Sequence, residues 1–268
     1  MTWQPATLCE YVRRWHLTPA GTAFSTPSSH LQPVLWRGER AMLKVARIEE
    51  EANGCHMLAW WDGAGAARVH ELDDHAAVVE WGGPALSDHA EVDDDRATRV
   101  LCEVAATLHA ASGQSGPQPD GLIPLSAWFQ SLFARAGSGG FYARAAAVAL
   151  QLLDDPAEEV ALHGDLHHGN VLDFGERGWL AIDPKFLVGN RVFDYTNILC
   201  NPSQDLAERQ FGRRVELISE LAGIPAAALL EWTVAWTGLS ASWFAEDGNA
   251  NEEHRALRIG ALAEARLG

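Results

Sequence analysis

The sequence has few cysteines and no long apolar run. Its four cysteines, Cys9, Cys55, Cys102 and Cys200, are scattered, and no two of them form a C-x-x-C pair. This spacing indicates neither a disulfide framework nor a thiolate metal cluster, so a reduced, cytoplasmic protein is the simplest expectation. No stretch approaches the roughly 20 apolar residues of a membrane span, and no N-terminal segment resembles a signal peptide. We therefore expect no membrane partner.

Positive charge is also scarce. The 268 residues include 20 Lys and Arg against 36 Asp and Glu, a formal net charge of −16. Duplex binding needs a basic face, so we expect no nucleic-acid partner. An acidic protein attracts cationic ligands instead, although many proteins are acidic for solubility alone. The length is enough to bury a large core in one large or two modest domains.

The groups able to do chemistry are concentrated in residues 161–185. Asp165 and Asn170 lie five residues apart in a segment of His and Gly that is too irregular for a helix or a strand, which predicts a loop. Residues 171–174 and 179–182 then form two predicted strands around a Gly-bracketed turn. Such a hairpin returns Asp183 to the side of Asn170, and their side-chain oxygens are ligands of the kind that Mg²⁺ takes. Asp165 is left free to act as a base.

The first third of the chain has the pattern of strands and the rest that of helices. A hairpin is predicted from 33–36 and 41–45, a helix begins at Glu49, and two strands follow at 67–72 and 75–81. Lys44 interrupts an apolar strand, so it either reaches solvent at an edge or has an anionic partner. After the break Gly82-Gly83-Pro84, apolar residues recur at helical spacing in 94–111, 124–136, 140–153, 204–222, 226–245 and 250–266. The fold class predicted is α+β.

These motifs together resemble a known family. The loop candidate reads LHGDLHHGN (162–170) and is followed by WLAIDP (179–184). This order is similar to the loop and metal-binding Asp of the aminoglycoside phosphotransferases, in the branch of streptomycin 6-phosphotransferases and hydroxyurea phosphotransferases. Further similar segments are AMLKVARI (41–48), WWDGAGAARV (60–69) and WTGLSASWF (236–244). The resemblance implies a two-lobed protein-kinase-like fold, with an N-terminal lobe (1–82) on an antiparallel sheet and a mainly helical C-terminal lobe (83–268).

The resemblance also implies the chemistry of the loop. Asp165 would orient the attacking hydroxyl and take its proton, with ATP as the phosphoryl donor. Asn170 and Asp183 would hold Mg²⁺ on the triphosphate. Asp194 matches the family's second Asp, which anchors the catalytic loop by accepting backbone hydrogen bonds, and His163 would help to shape the loop.

The nucleotide site follows from the same resemblance. Lys44 matches the strand Lys that holds the α- and β-phosphates, and Glu51 fits the register of its partner, with Glu50 as the alternative. Two further groups would contact the nucleotide: the phosphate-covering hydroxyls of Ser28 and Ser29, and the hinge backbone at Glu80, Trp81 and Gly82, beside the adenine.

Two other interpretations of the chemical stretch remain open. An Asp-Phe-Gly tripeptide, by which protein kinases mark their metal-binding Asp, begins at Asp173. It comes only three residues after Asn170, before the chain can turn back, so we expect Asp173 to be a solvated residue at the turn. The other alternative is an imidazole site for zinc, although no further His or Cys lies at a ligand spacing. Its ligands would be His163, His167 and His168.

The acceptor is implied by the resemblance to be streptomycin, phosphorylated at the 6-position. Trp243, Glu246 and Asp247 end a Trp-rich helix, and these carboxylates could accept paired hydrogen bonds from its guanidino groups. They could equally be a solvated helix boundary. The alternatives are a kinase of hydroxyurea or of a metabolite alcohol, and a nucleotide-binding module without transfer. We expect a monomer or weak dimer.

Overall fold

The structure is a computed structural model that describes residues 7–113, 118–154 and 159–268. Its helices α1 to α11 are Leu8–Arg14, Glu49–Trp61, Ser87–Ala90, Asp94–Ser112, Leu125–Trp128, Gln130–Arg135, Gly140–Leu153, Phe193–Thr196, Gln204–Ala222, Ala226–Glu246 and Ala250–Leu267. Its strands β1 to β11 are Thr18–Pro19, Phe24–Ser25, Ser29–Trp36, Glu39–Ala46, Val69–Leu72, Ala76–Glu80, Ile123–Pro124, Glu159–Leu162, Val171–Asp173, Trp179–Ala181 and Leu187–Asn190. The predicted α+β class is confirmed: β1 to β6 come first, and the longer helices α4, α7, α9, α10 and α11 follow them.

The N-terminal lobe is an antiparallel sheet in the order β1-β3-β4-β6-β5, with β2 paired to β3. The hairpin between β3 and β4 turns at Arg37 and Gly38, which both have positive φ, as a tight two-residue turn requires. Successive side chains of a strand point to opposite faces. Leu43 and Val45 pack in a small core under α1, so Lys44 between them faces the other way.

A second, small sheet supports the predicted catalytic loop and was not predicted from the sequence. It has the order β7-β11-β8, and Leu162 at the end of β8 pairs with Leu187 of β11. The loop starts directly after β8. The hairpin β9–β10 follows it as predicted, with Val171 opposite Ala181. These two sheets hold both ends of the stretch that carries the chemical groups.

The C-terminal lobe is helical, and the long predicted helices agree with α4, α7, α9, α10 and α11 to within one residue at each end. Ser203 caps α9 by accepting a hydrogen bond from the Leu206 amide, and Gly223 ends it in the left-handed region. The helix predicted over 124–136 is instead two short helices, α5 and α6. Among the described residues no single helix is long and apolar enough to cross a membrane, although α9 and α10, bent by 118°, pass that test as a pair.

Candidate active site

Lys44 lies in the cleft with carboxylates on both sides. Its side chain is almost fully buried, and its Nζ forms ion pairs with Glu51 of α2 and with Asp183 just after β10. Burial alone would lower the pKa of Lys44, but these carboxylates outweigh it and hold the pKa above its usual value. The lysine therefore keeps its charge in the cleft.

Glu50, the alternative partner, contacts a different lysine. Its Oε1 lies 2.9 Å from Nζ of Lys185, two residues after Asp183. The approach of α2 to this segment depends on Gly54, because a Cβ there would lie 2.3 Å from the carbonyl oxygen of Pro184. Consecutive glutamates at the start of α2 thus hold one lysine from each lobe.

The loop after β8 is fixed from below by Asp194. Its carboxylate accepts hydrogen bonds from the backbone amides of His163, at 3.0 Å, and Gly164, at 2.7 Å. His109 Nε2 also donates to it, at 2.8 Å. Burial would raise the pKa of Asp194, but these donors hold it below its usual value, so the carboxylate stays ionised in the core.

His163 is fully buried, and both of its ring nitrogens are used. Nε2 lies 2.8 Å from the carbonyl oxygen of Ile182 and donates to it, while Nδ1 accepts from the Asp165 amide at 3.2 Å. This pattern needs a neutral ring, and burial lowers the pKa of His163 accordingly. The ring therefore ties the loop to the end of β10 and orients the backbone at Asp165.

Asp165 projects from this loop with an amide group on each oxygen. Asn170 Nδ2 donates to its Oδ2 at 3.3 Å and to its main-chain oxygen at 2.9 Å. Asn197 Nδ2 donates to its Oδ1 at 2.8 Å. Two donors on different elements hold the carboxylate in a single orientation, which is what a base must have before a substrate hydroxyl arrives.

The hairpin brings Asp183 back to Asn170. The Ile182 amide donates to the Asn170 carbonyl oxygen at 2.9 Å, which places the next residue, Asp183, beside Asn170. Asp183 has a φ of 57°, a left-handed conformation that costs a non-glycine residue free energy and is concentrated at functional sites. Because Asn170 uses its amino group on Asp165, its Oδ1 remains available. An amide oxygen and a carboxylate are a donor set that fits Mg²⁺.

Asp173 lies at the turn of the hairpin rather than beside Asn170 and Asp183. It ends β9, and its Oδ1 accepts a hydrogen bond from the Gly175 amide at 2.8 Å, within the turn of the hairpin. Its carbonyl oxygen accepts from the Gly83 amide at 2.7 Å. Asp173 is thus a turn residue in contact with the segment that joins the lobes.

The three loop histidines occupy separate environments. His167 Nδ1 accepts from the Gly169 amide at 3.0 Å, whereas His168 is fully buried and neither of its ring nitrogens has a partner among the described residues. Burial, with smaller contributions from Arg214 and His167, lowers the pKa of His168 to about 2, so it is neutral. Within the described ranges, no group of three or more His, Cys, Asp or Glu side chains is arranged to hold a metal.

The predicted hinge packs directly on the hairpin. Glu80 forms an ion pair with Arg177 of the hairpin turn, and its backbone amide donates to the Arg68 carbonyl oxygen at 2.9 Å. The guanidinium of Arg40 stacks 4.1 Å over the Trp81 ring. A Cβ at Gly82 would lie 2.5 Å from Leu172, so only glycine allows this approach. The lobe boundary between residues 82 and 83 stays a prediction.

The two serines of the predicted phosphate-covering loop differ in accessibility. Ser29 opens β3 with an exposure of 1%, and its hydroxyl has no hydrogen-bond partner among the described residues. Ser28 is half-buried, and its carbonyl oxygen accepts from the Arg47 amide at 2.8 Å. Of the two hydroxyls, that of Ser28 is the one within reach of solvent.

A cavity of about 790 Å³ joins Asp165 to the end of α10. Trp243, Glu246 and Asp247, for which an acceptor contact stays a prediction, line this cavity. Trp243 packs edge-on against Trp128 and Trp236. Five carboxylates line the cavity against two cationic side chains, and both cations are already paired, Lys185 with Glu50 and Arg255 with Glu252. Among the described residues of the lining, Glu246 and Asp247 have no cationic partner, whereas Asp165 Oδ1 lies 3.8 Å from Nε2 of His167.

Three groups around Asp165 were not identified from the sequence. Asn197 and Asn201 come from the turn after α8, and nothing in their spacing marks them as neighbours of a loop 30 residues earlier in the chain. The third is Lys185, and its position directly after Asp183-Pro184 is a signal by which it could be found.

Comparison with known proteins identifies the family of this chain. The sequence profile of the family described as aminoglycoside/hydroxyurea antibiotic resistance kinase matches residues 14–248. The chain belongs to this family. A curated relative named streptomycin 3''-kinase, from Klebsiella pneumoniae, is 47% identical over 95% of this chain and 98% of its own length. A streptomycin 6-kinase from Streptomyces glaucescens is 32% identical over 95% of this chain and 87% of its own length.

Solved structures show the fold of this resistance kinase. A thermostable mutant of aminoglycoside phosphotransferase APH(4)-Ia, in a ternary complex with AMP-PNP and hygromycin B, matches with a TM-score of 0.69 at 12% identity. The match covers 97% of this chain and 98% of that one. The predicted two-lobed, protein-kinase-like architecture is therefore confirmed.

Proposed function

We propose that this resistance kinase transfers the γ-phosphoryl group of ATP to a hydroxyl of streptomycin. The observation that carries the proposal is the shared cavity, because Asp165 lines the same space as Trp243, Glu246 and Asp247. An acceptor in this space has its hydroxyl beside a base and its cationic groups beside unpaired carboxylates. Streptomycin carries two guanidino groups, planar cations whose N–H groups donate paired hydrogen bonds to carboxylates.

In the proposed reaction Asp165 acts on the acceptor hydroxyl. The O–H bond breaks as the carboxylate takes the proton, and the acceptor oxygen bonds to the γ-phosphorus. The bond from the γ-phosphorus to the β,γ-bridging oxygen breaks, and ADP leaves. Asn170 and Asn197 keep the carboxylate in place through the hydrogen bonds described above.

The donor side of the proposed site uses the N-terminal lobe. Lys44, held by Glu51, supplies a buried positive charge for the phosphates. Ser28 is the accessible hydroxyl of the phosphate-covering loop, and the backbone at residues 80–82 would meet the adenine. Asn170 and Asp183 would hold Mg²⁺, which neutralises negative charge on a triphosphate.

The relatives favour the 3''-hydroxyl of streptomycin as the acceptor over the 6-hydroxyl that the sequence resemblance implied. The relative named streptomycin 3''-kinase is 47% identical to this chain, whereas the 6-kinase from S. glaucescens is 32% identical. The two hydroxyls lie on different rings of streptomycin. Phosphorus–proton NMR correlation on the purified product identifies the ring proton next to the phosphate and decides between them.

The test of the function is ADP release, measured with streptomycin, a second aminoglycoside and hydroxyurea in parallel. We expect release that depends on streptomycin and ends in a phosphorylated product. Asp165→Asn should abolish transfer while leaving ATP affinity within a few-fold, because the ion pairs of Lys44 are with Glu51 and Asp183. Streptomycin-independent release, or release only with hydroxyurea, would overturn the choice of acceptor.

The acceptor side is tested with Glu246→Gln and Asp247→Asn. Each change removes one carboxylate from the cavity, so we expect the KM for streptomycin to rise roughly 10-fold and the KM for ATP to stay constant. Glu253→Gln is the matched control, because Glu253 lies outside the cavity lining and accepts a hydrogen bond from Tyr142 at 2.6 Å. Equal effects of all three changes would remove Glu246 and Asp247 from the acceptor site.

A further inference from the structure

The carboxylate of Asp165 has two amide partners, and only Asn170 belongs to the loop motif. The other is Asn197, which lies 32 residues further along the chain and is 8% exposed. It donates to Oδ1, the oxygen that Asn170 leaves free, at 2.8 Å. Nε2 of His167 lies 3.8 Å from the same oxygen, which is too far for a hydrogen bond. Removal of either amide donor would therefore release one side of the carboxylate.

The orientation of the Asn197 amide is itself determined by a neighbour. Asn201 Nδ2 donates to Asn197 Oδ1 at 2.9 Å and to its main-chain oxygen at 3.2 Å. With its oxygen occupied by a donor, the Asn197 amide can present only its amino group to Asp165. A flipped amide would place two amino groups face to face and an oxygen against the carboxylate.

The segment that carries both asparagines is held from the core. Arg214 is fully buried, and its Nη1 donates to the carbonyl oxygens of Ile198, at 2.8 Å, and Asn201. Asp94 fixes the same guanidinium through two hydrogen bonds, of 3.0 and 2.5 Å. Polar contacts therefore run without interruption from a buried ion pair to the predicted base.

We propose that Asn197 is a positioning residue for Asp165 and that Asn201 acts through it by fixing the orientation of its amide. The proposal rests on the proposed function, in which Asp165 takes the proton of the acceptor hydroxyl. A carboxylate held on one oxygen only can turn about its side-chain bonds, and displacement of a reacting group by about 1 Å costs on the order of 10²-fold in rate. Both asparagines also line the proposed acceptor cavity. A positioning role predicts a loss of kcat, whereas direct contact with the acceptor predicts a rise in the KM for streptomycin.

The test is a double-mutant cycle on Asn197→Ala and Asn201→Ala, with kcat and both KM values measured for each variant. We expect Asn197→Ala to lower kcat by roughly 10- to 100-fold with KM values within about 3-fold. Asn201→Ala should lower kcat less, and the double variant should be no slower than Asn197→Ala alone, since Asn201 acts only through Asn197. If the fold-losses in kcat of the two single variants multiplied in the double variant, the proposal that Asn201 acts through Asn197 would be overturned.

Asn197→Asp and Ser203→Ala separate positioning from general destabilisation. Asn197→Asp keeps the shape but presents an oxygen to Asp165, so we expect it to be slower than Asn197→Ala. Ser203→Ala removes the cap of α9, two residues after Asn201, and a hydrogen bond from the Ser203 hydroxyl to Glu91 at 3.2 Å. It should lower the thermal midpoint without changing kcat. A kcat loss in Ser203→Ala equal to that in Asn197→Ala would show a merely structural role.

Failure of the proposed function gives a different result. Wild-type protein that transfers phosphate to no acceptor refutes the function, and the role of Asn197 falls with it. Wild-type transfer that is matched by Asn197→Ala and Asn197→Asp refutes only the positioning role. Transfer to an acceptor other than streptomycin leaves the cycle valid with that acceptor.

Discussion

The buried ion pair between α4 and α9 offers a stability prediction with a control beside it. Asp94 and Arg214 join the two helices inside the protein, with side-chain exposures of 6% and 0%. Asp95 and Arg213, each the sequence neighbour of one of them, join the same helices at the surface, with exposures of 43% and 46%. The two pairs share their helices and their residue types and differ in burial.

Asp94→Asn removes the counter-charge of a guanidinium that cannot reach water. Loss of one partner from a buried pair costs about 3–5 kcal/mol, because the remaining charge stays desolvated. For a chain of this size that corresponds to a fall in the thermal midpoint of roughly 6 to 20 °C. Asp95→Asn should barely change the midpoint, since an exposed pair is screened and its arginine remains hydrated.

The helix dipole does not explain such a difference. Both aspartates lie in the first turn of α4, so each change removes a negative charge from the same helix terminus. Differential scanning calorimetry of the two variants and the wild type measures the difference directly. Equal falls in the midpoint, or no fall with Asp94→Asn, would refute the argument from burial.

Two further predictions concern the cleft. Asp183→Ala should abolish metal-dependent ATP binding, measured by titration calorimetry. Asp173→Ala loses only a hydrogen bond from the Gly175 amide and should bind ATP as the wild type does. The reverse result would make Asp173 the metal ligand. Glu51→Gln should raise the KM for ATP at least several-fold more than Glu50→Gln, because Glu51 contacts the buried Lys44 and Glu50 does not; equal effects would contradict the separation of the two glutamates.

Periodicity predicted most of the helical lobe because its helices are long and their signals local. α9 and α10 start after a Ser cap and a Pro, respectively. The apolar residues of α9 recur at helical spacing, whereas α10 is a long, mostly apolar and buried segment. The small sheet escaped prediction because its strands are two to four residues long, too short for an alternating pattern to show. Only their pairing makes them strands, and pairing between distant segments is not visible in a local window.

The residues of the site also differ in whether the sequence could predict them. Asp165, Asn170 and Asp183 could be identified from one segment, since a hairpin of predictable length brings the third to the second. Asn197 could not, because its contact with Asp165 depends on how the turn after α8 packs against the loop after β8. That packing is set by Arg214 on α9 and Asp94 on α4, and neither carries a sequence signal of its own.

In the described lining of the cavity, the side chains of Lys185 and Arg255 are paired with carboxylates, whereas Glu246 and Asp247 have no cationic partner. Lys185, the one lysine of the cavity lining, is held by Glu50, and burial, which would lower its pKa, is outweighed by Asp165 and Glu50, which hold the pKa above its usual value. A cationic acceptor would be repelled by an unpaired lysine beside Asp165. Because Glu50 balances the charge of Lys185, the carboxylates of Glu246 and Asp247 at the end of α10 dominate the electrostatic field of the cavity. In the proposed function, selection of a cationic acceptor and delivery of its hydroxyl to Asp165 would therefore depend on the same arrangement of charges.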